Sequence, residues 1–186
     1  FKGTEVSAEW VMDVAPDVVV LATGAEPRMA LIEGADEAHI VDAWTVVKDK
    51  SNVGANVVIA DWRCDWIGLG IAEKLARAGC HVRLAVNGAV PGEAIHFITR
   101  DIWIGKLHEL GVTMIPFARL FGADADSVYL QHTVSQQPMV LEGVDTVVTV
   151  QANRRSAALA DALGAQSDIE THLIGDCLSP RTAEEA

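Results

Sequence analysis

Residues 57–88, "VVIADWRCDWIGLGIAEKLARAGCHVRLAVNG", run as an apolar strand, a loop, a helix and a second apolar strand. Leu69, Ile71, Ala72 and Leu75 mark one face of the helix, and this order of elements opens a dinucleotide-binding βαβ unit. The glycines that such a loop uses are displaced. Counting back from Gly68, the two earlier positions of a G-x-G-x-x-G pattern hold Arg63 and Asp65. The second glycine of that fingerprint lets backbone approach a pyrophosphate, so a side chain fills the space and a carboxylate adds repulsion. Two unit charges about 4 Å apart oppose each other by about 1 kcal/mol in water and about 4 kcal/mol at an effective dielectric near 20. Arg63 offsets part of this, while Trp62 and Trp66 crowd the loop. The second strand ends in Asn87 and Gly88, so the acidic ribose anchor is missing too. Arg63, Asp65 and Gly68 therefore read as a degenerate dinucleotide loop at which NAD(P) binding is disfavoured.

The flanking sequence extends the alternation. Upstream, "VSAEWVMDVAPDVVVLATGAEPR" predicts a short helix capped by Ser7 with Glu9 in its first turn, then a buried strand over Val18–Ala22 ending at Thr23 and Gly24. "HIVDAWTVV" predicts a short strand and a helical turn starting at Asp42, followed by a polar linker near residues 49–55, where a domain crossing is placed. Downstream, "GEAIHFITRDIWIGKLHELG" predicts a helix with apolar positions Ile95, Ile98 and Ile102, and Trp103, Leu107 and Leu110, closed by Gly111. "VTMIPFARLFG", "SVYLQHTV" and "PMVLEG" then predict three strands of an antiparallel meander. "PDVVVLATGAEPR" at 16–28 is echoed by "VDTVVTVQANRRS" at 144–156, which suggests a duplicated domain. The chain closes with "IETHLIGDCLSPRTAEEA", a strand with Gly175 and Asp176 at its end and the start of a helix.

Composition narrows the function classes. A length of 186 residues buries about 70% of the unfolded surface, enough for one large core or two small ones. No apolar run approaches the roughly 18 residues a membrane span needs, so a membrane role is not expected. The net charge of -12, from 26 acidic and 14 basic residues, opposes nucleic acid. Cys64, Cys80 and Cys177 match neither a zinc site nor a disulfide framework, which indicates a reducing, cytoplasmic setting. The first residue is Phe1, there is no signal-peptide pattern, and the chain stops inside "RTAEEA"; the expectation is a piece of a longer polypeptide.

The ends of parallel strands are where ligands bind, because helix N-termini and free loop amides converge there. Thr23-Gly24 and Gly175-Asp176 occupy such ends, with glycine for close backbone approach and a carboxylate that can accept hydrogen bonds from sugar or ribityl hydroxyls. The alternative for Gly175-Asp176 is a turn with a cap. The six histidines show no metal spacing, Asp124 and Asp126 are turn formers, and Cys64 has no paired base, so neither a catalytic residue nor a metal site is assigned.

"PDVVVLATGAEPR", "DWIGLGIAEKLARAGCHV", "FITRDIWIGKLHELGV" and "LIGDCLSPRTAEEA", in this order, resemble the C-terminal part of old-yellow-enzyme-type NADH:flavin oxidoreductases. This is the group of trimethylamine dehydrogenase, histamine dehydrogenase, N-methylproline demethylases and 2,4-dienoyl-CoA reductase. The resemblance implies an α/β, Rossmann-like FAD/NAD(P)-binding three-layer fold of the two-domain flavoprotein type, with a parallel sheet and an antiparallel β-meander. It implies a partial FAD/ADP-binding domain over 1–51 and 153–186, and an inserted NAD(P)-binding-like domain over 52–152. It further implies that Thr23, Gly24, Gly175 and Asp176 face FAD or ADP and that Thr182 and Ala183 open the helix pointing at it. The parent would carry FMN and a [4Fe-4S] cluster in an upstream barrel outside this chain, and the fragment alone would be inactive. The degenerate loop points to the amine dehydrogenase and demethylase branch, with an electron-transfer flavoprotein as electron partner. The alternatives are an NAD(P)H-dependent enoate reductase and a non-catalytic Rossmann-like interaction module.

Overall fold

The structure, a computed structural model, describes residues 2–29, 31–166 and 168–181. Along the chain come α1 (Ala8–Val14), β1 (Val18–Leu21) and β2 (Ala25–Pro27), then β3 (Ile40–Asp42), α2 (Ala43–Val47), β4 (Asn56–Asp61), α3 (Trp66–Arg77) and β5 (His81–Val86). They are followed by α4 (Phe97–Glu109), β6 (Thr113–Ile115), β7 (Ala118–Ala123), β8 (Ser127–His132) and β9 (Pro138–Glu142). β10 (Thr146–Val150), β11 (Asn153–Arg155), α5 (Ala158–Gln166) and β12 (Glu170–Leu173) complete the order, with a single 3-10 turn at Gly175–Cys177. The chain forms two units, one from residues 1–28 and 153–186 and the other from residues 29–152.

The central unit is a three-layer sandwich. Its middle layer is a parallel sheet of order β3-β10-β4-β5-β6. Alternation along the strands divides the core. Val57, Ile59, Leu84, Val86, Val148 and Val150 face the helices and pack with Leu69, Ile71, Leu75 and Leu107. Val58, Ala85 and Val147 face the other way, against Ala118, Val128 and Leu130 of the antiparallel meander β7-β8-β9. A parallel sheet covered on both sides must be apolar on both faces, and β4 is buried at every position after Asn56.

Three expectations change in the central unit. The domain crossing lies at 28/29 rather than 51/52, because β3 pairs with β10 (Val147↔Ile40) and α2 packs its Val46 into the central core, which draws residues 29–51 into the central unit. The run 112–122 is not one strand: β6 is the parallel edge strand, and Phe117 at φ 54 reverses the chain into β7. On α4 the Trp103, Leu107, Leu110 face joins the core, whereas Ile98 and Ile102 are 55% and 66% exposed.

In the other unit α1 begins at Ser7, whose hydroxyl accepts the Trp10 amide. β1 pairs in parallel with β12 (Leu21↔Leu173). Leu21 packs with Val11, Leu163 and Cys177, and Val19 lies against that cluster. Val18 and Val20 point to the opposite face and are 46% and 59% exposed, so β1 is not the buried strand its composition predicts. The echoing segments meet through their second halves: β2 pairs antiparallel with β11, and Arg154 forms an ion pair with Glu26 at 2.7 Å. That ribbon marks where the chain leaves for the central unit and returns.

The two classes of helix position separate in stability. Leu69→Ala, at a fully buried position, should lower unfolding free energy by about 2–5 kcal/mol, and Ile102→Ala, on the exposed side of α4, by about 0.5 kcal/mol or less. Urea denaturation of the two variants checks the orientation of the helix layer.

Candidate functional site

The turn from β4 into α3 is built around two carboxylates. Asp61, the last residue of β4, accepts the amide N–H groups of Arg63 at 3.0 Å and Cys64 at 2.9 Å through Oδ1. Cys64 takes φ 52, a left-handed conformation that folds the turn back toward the strand end. Asp65 is the N-cap of α3: its Oδ1 accepts the Ile67 amide at 2.9 Å, and its Oδ2 pairs with Arg63 Nε. Asp61 and Asp65 are only 2% and 4% exposed. In a dinucleotide loop, amides at a helix N-terminus converge on phosphate oxygens. Here the Arg63, Cys64 and Ile67 amides are held by the chain's own carboxylates.

Gly68 acquires a specific reason. A Cβ on Gly68 would lie 2.1 Å from Asp61 Oδ2 and 3.1 Å from Asp61 Cβ. That second carboxyl oxygen is buried and has no hydrogen-bond partner among the described residues. Burial, reinforced by the charge of Asp65 and opposed by the loop amides, raises the Asp61 pKa from 3.8 to about 7. Asp65, expected as an intruder at the second glycine position, is a helix cap with Arg63 as counter-ion. Asp61 is the residue that sequence reasoning missed; the available signal was an Asp followed two and three residues later by free backbone amides, as in an Asx-type turn.

The end of β5 is closed in a similar way. Asn87 Oδ1 lies 3.0 Å from Cys64 Sγ, and Glu93 Oε2 accepts the Ala89 amide at 3.0 Å. A Cβ on Gly88 would fall 1.9 Å from that Glu93 oxygen. Burial pushes the Cys64 thiol up to about 11, which makes it a packing group rather than a nucleophile. At the ends of β4 and β10, where the strand order reverses, Asp61, Trp62, Arg119 and Gln151 border a space of about 40 Å³. Ligand clefts usually measure about 300–1,000 Å³. A larger cleft, about 510 Å³, lies along the meander near Phe121, Tyr129 and Val140 instead of at the strand ends.

In the unit formed by the chain's two ends, the parallel pairing of β1 and β12 sets Thr23-Gly24 beside Gly175-Asp176. Ile174 N–H donates to Leu21 carbonyl at 2.9 Å and ties the two strand ends together. The Thr23 hydroxyl donates to the Ser156 carbonyl at 2.7 Å and lies 3.0 Å from Cys177 Sγ. Gly24 and Gly175 adopt φ 74 and 62, and a Cβ on either would meet nothing within 4 Å. Both therefore have the left-handed backbone that glycine adopts most easily, next to open space. Asp176 is exposed in the 3-10 turn, with the Arg181 amide 3.5 Å from its Oδ1. Thr182 and Ala183 lie outside the described residues. Among the described residues no group of three His, Cys, Asp or Glu side chains is placed to hold a metal ion, and no helix is long and apolar enough to cross a membrane.

No protein-family model matches the chain. It is 30% identical over 177 residues to N,N-dimethylglycine/sarcosine dehydrogenase of Chromohalobacter salexigens, covering 89% of this chain and 25% of that protein. Over 81 residues it is 36% identical to the probable N-methylproline demethylase of Rhizobium meliloti, covering 44% of this chain and 12% of that protein. The structure of histamine dehydrogenase from Rhizobium sp. 4-9 superposes with a TM-score of 0.87 at 19% identity, over 96% of this chain and 30% of that one. That of 2-naphthoyl-CoA reductase gives 0.82 at 26% identity, over 96% and 26%. The relatives cited are of the old-yellow-enzyme, trimethylamine-dehydrogenase type, and the chain is similar to one region of them. It spans about a quarter of the length of the dimethylglycine/sarcosine dehydrogenase, and its fold is that of the two-domain flavoproteins.

The Asp61 carboxyl couples the turn to pH. A folded-state pKa of about 7 against 3.8 means that the native chain keeps a proton the unfolded chain has released, so this group's contribution to stability falls as pH rises from about 4 to about 7. Asp61→Asn keeps an acceptor for the two loop amides and removes the titration. Urea midpoints at about pH 5 and about pH 8 should differ more in the wild-type chain than in the variant.

Proposed function

We propose that this chain is the C-terminal nucleotide-binding and electron-transfer region of a larger FMN- and iron-sulfur-containing oxidoreductase, one that dehydrogenates or N-demethylates an amine. The observation that carries this reading is the turn after β4, where Asp61 and Asp65 take the amides a dinucleotide phosphate would need. A domain closed in this way does not fit NAD(P)H, which favours a parent that passes electrons to a separate carrier such as an electron-transfer flavoprotein. The similarity to a dimethylglycine/sarcosine dehydrogenase supports the same branch.

The unit formed by the chain ends fits half of an FAD or ADP site. Gly24 and Gly175 let backbone approach the ligand, and exposed Asp176, whose Oδ1 takes the Arg181 amide, can accept a further hydrogen bond from a sugar or ribityl hydroxyl. The Thr23 hydroxyl ties the end of β1 to Ser156, just after β11, and to Cys177, beyond β12. FAD, when bound, would supply electron acceptance and donation; ADP would supply none and would act as a structural ligand. The exposed Val18, Val20 face of β1 is then the side against which the upstream half of the same nucleotide domain packs. The FMN barrel belongs to that upstream polypeptide, and this region alone is inactive.

An NAD(P)H-dependent reductase is the second reading, favoured by the 26% identity and TM-score of 0.82 to 2-naphthoyl-CoA reductase. Calorimetric titration with NADH and NADPH separates the two. The chain should show no submillimolar binding, and Arg63→Gly with Asp65→Gly should recover part of the affinity. Adding Asp61→Ala, which releases two further amides, should recover more. Submillimolar binding by the unaltered chain would favour the reductase. In the complete polypeptide, Asp176→Ala should weaken FAD or ADP retention by about 1.5–3 kcal/mol, as for a hydrogen bond to a charged group; unchanged retention would leave Asp176 only a turn residue.

A further inference from the structure

The helix layer of the central unit holds a concavity that the nucleotide reading leaves unused. Between α2 and α3 lies a cleft of about 360 Å³, lined by Trp44, Trp66, Gly70 and Ile71 and almost wholly apolar. Lys48 and Lys74 also line it. The Lys48 ammonium sits 4.6 Å from the centre of the Trp44 ring, and Lys74 pairs with Asp49 at 2.6 Å.

Two independent features indicate what fits there. Charge is the first. The chain has 26 acidic and 14 basic residues, yet the charged side chains that line this cleft are Lys48 and Lys74. The lysine-bearing cleft is thus locally basic on an acidic protein. Gly70 is the second. Glycine inside a helix is less stable than alanine, because it loses more backbone freedom on folding. Nothing in the packing requires it: its backbone is not left-handed, and a Cβ would only reach ordinary contact with Trp103 Cη2, at 4.0 Å. Gly70 lines the cleft, and the absence of a side chain there keeps that part of its wall open.

We propose that the α2–α3 cleft docks an acidic helical segment of a partner protein, which inserts large apolar side chains between Trp44 and Trp66 and sets carboxylates against Lys48 and Lys74. This inference does not rest on the nucleotide reading. It is the helix-in-groove mode of peptide recognition, with apolar anchors supplying affinity and charges supplying register and encounter rate. The Lys74–Asp49 pair is exposed and weakly stabilising, so Lys74 can exchange Asp49 for a partner carboxylate.

The test pans a random-peptide display library on the 186-residue chain, with counter-selection on Gly70→Leu, and titrates the enriched peptide by fluorescence anisotropy. Gly70→Leu replaces a helix-interior glycine by a strong helix former, so its thermal melt reports whether the fold is kept. The enriched peptides should be net acidic, with bulky apolar residues at helical spacing. Their affinity should fall about tenfold or more in Gly70→Leu and in Lys48→Glu/Lys74→Glu, and should weaken as salt rises. The lysine double variant leaves the apolar floor intact and keeps the test valid if Gly70→Leu does not fold. No enrichment over the counter-selected variant, or peptides indifferent to the two lysines, would overturn the proposal. Sedimentation showing a dimer that Gly70→Leu or the lysine double variant abolishes would overturn it in favour of a second copy of the chain.

Discussion

The turn between β4 and α3 is held by two buried carboxylates, and much of the central unit's character follows from them. Asp61 gathers two loop amides, and Asp65 caps the helix and pairs with Arg63. Asp65 provides the negative charge that a helix N-terminus favours, while burial keeps the Asp61 carboxyl protonated up to about pH 7. Gly68 is then needed because the Asp61 carboxyl occupies the space its Cβ would take. A fold that usually leaves its amides open for an external phosphate has satisfied them from within, and the strand–turn–helix geometry survives without the ligand.

This substitution has a cost and a consequence. Buried, and with one oxygen lacking a hydrogen-bond partner among the described residues, the Asp61 carboxyl resists ionisation and titrates at about 7. In the proposed function, a domain closed at the phosphate position, with little space bordered by Asp61, Trp62 and Gln151, would serve its parent through packing and docking. The remaining open strand ends are those of β1 and β12, where Gly24 and Gly175 leave room. The division of labour in the proposed function rests on that contrast between one closed turn and one open edge.

Much of this organisation was legible in the sequence, for identifiable reasons. The β4–α3–β5 unit shows both hydrophobic periods clearly, and the Ser7 and Asp42 caps stand directly before their helices. The features that were not legible depend on distant partners or on local backbone hand. The β3–β10 pairing joins residues more than a hundred positions apart, so a polar linker near residue 50 looked like a domain crossing when the units divide at 28/29. Ile98 and Ile102 have helical spacing, but which face of α4 meets the sheet is decided by Trp103, Leu107 and Leu110. Nothing in the hydrophobic pattern singles out Asp61. Its role becomes visible only once Cys64 is known to be left-handed, because that turn brings two amides onto one oxygen. At the candidate FAD/ADP edge the sequence marked Thr23, Gly24, Gly175 and Asp176, and the β1–β12 register explains how they come together.

The most direct measurement of the central claim is an amide-resolved NMR titration of the Arg63, Cys64 and Ile67 N–H groups. The account predicts that the Arg63 and Cys64 resonances move together on a pH titration with a midpoint of about 7, the Asp61 value, and that NADH or inorganic pyrophosphate leaves all three unmoved. Saturable shifts of these amides with NADH or pyrophosphate, without a change of pH, would contradict it, because they would show that the amides remain available to an external phosphate.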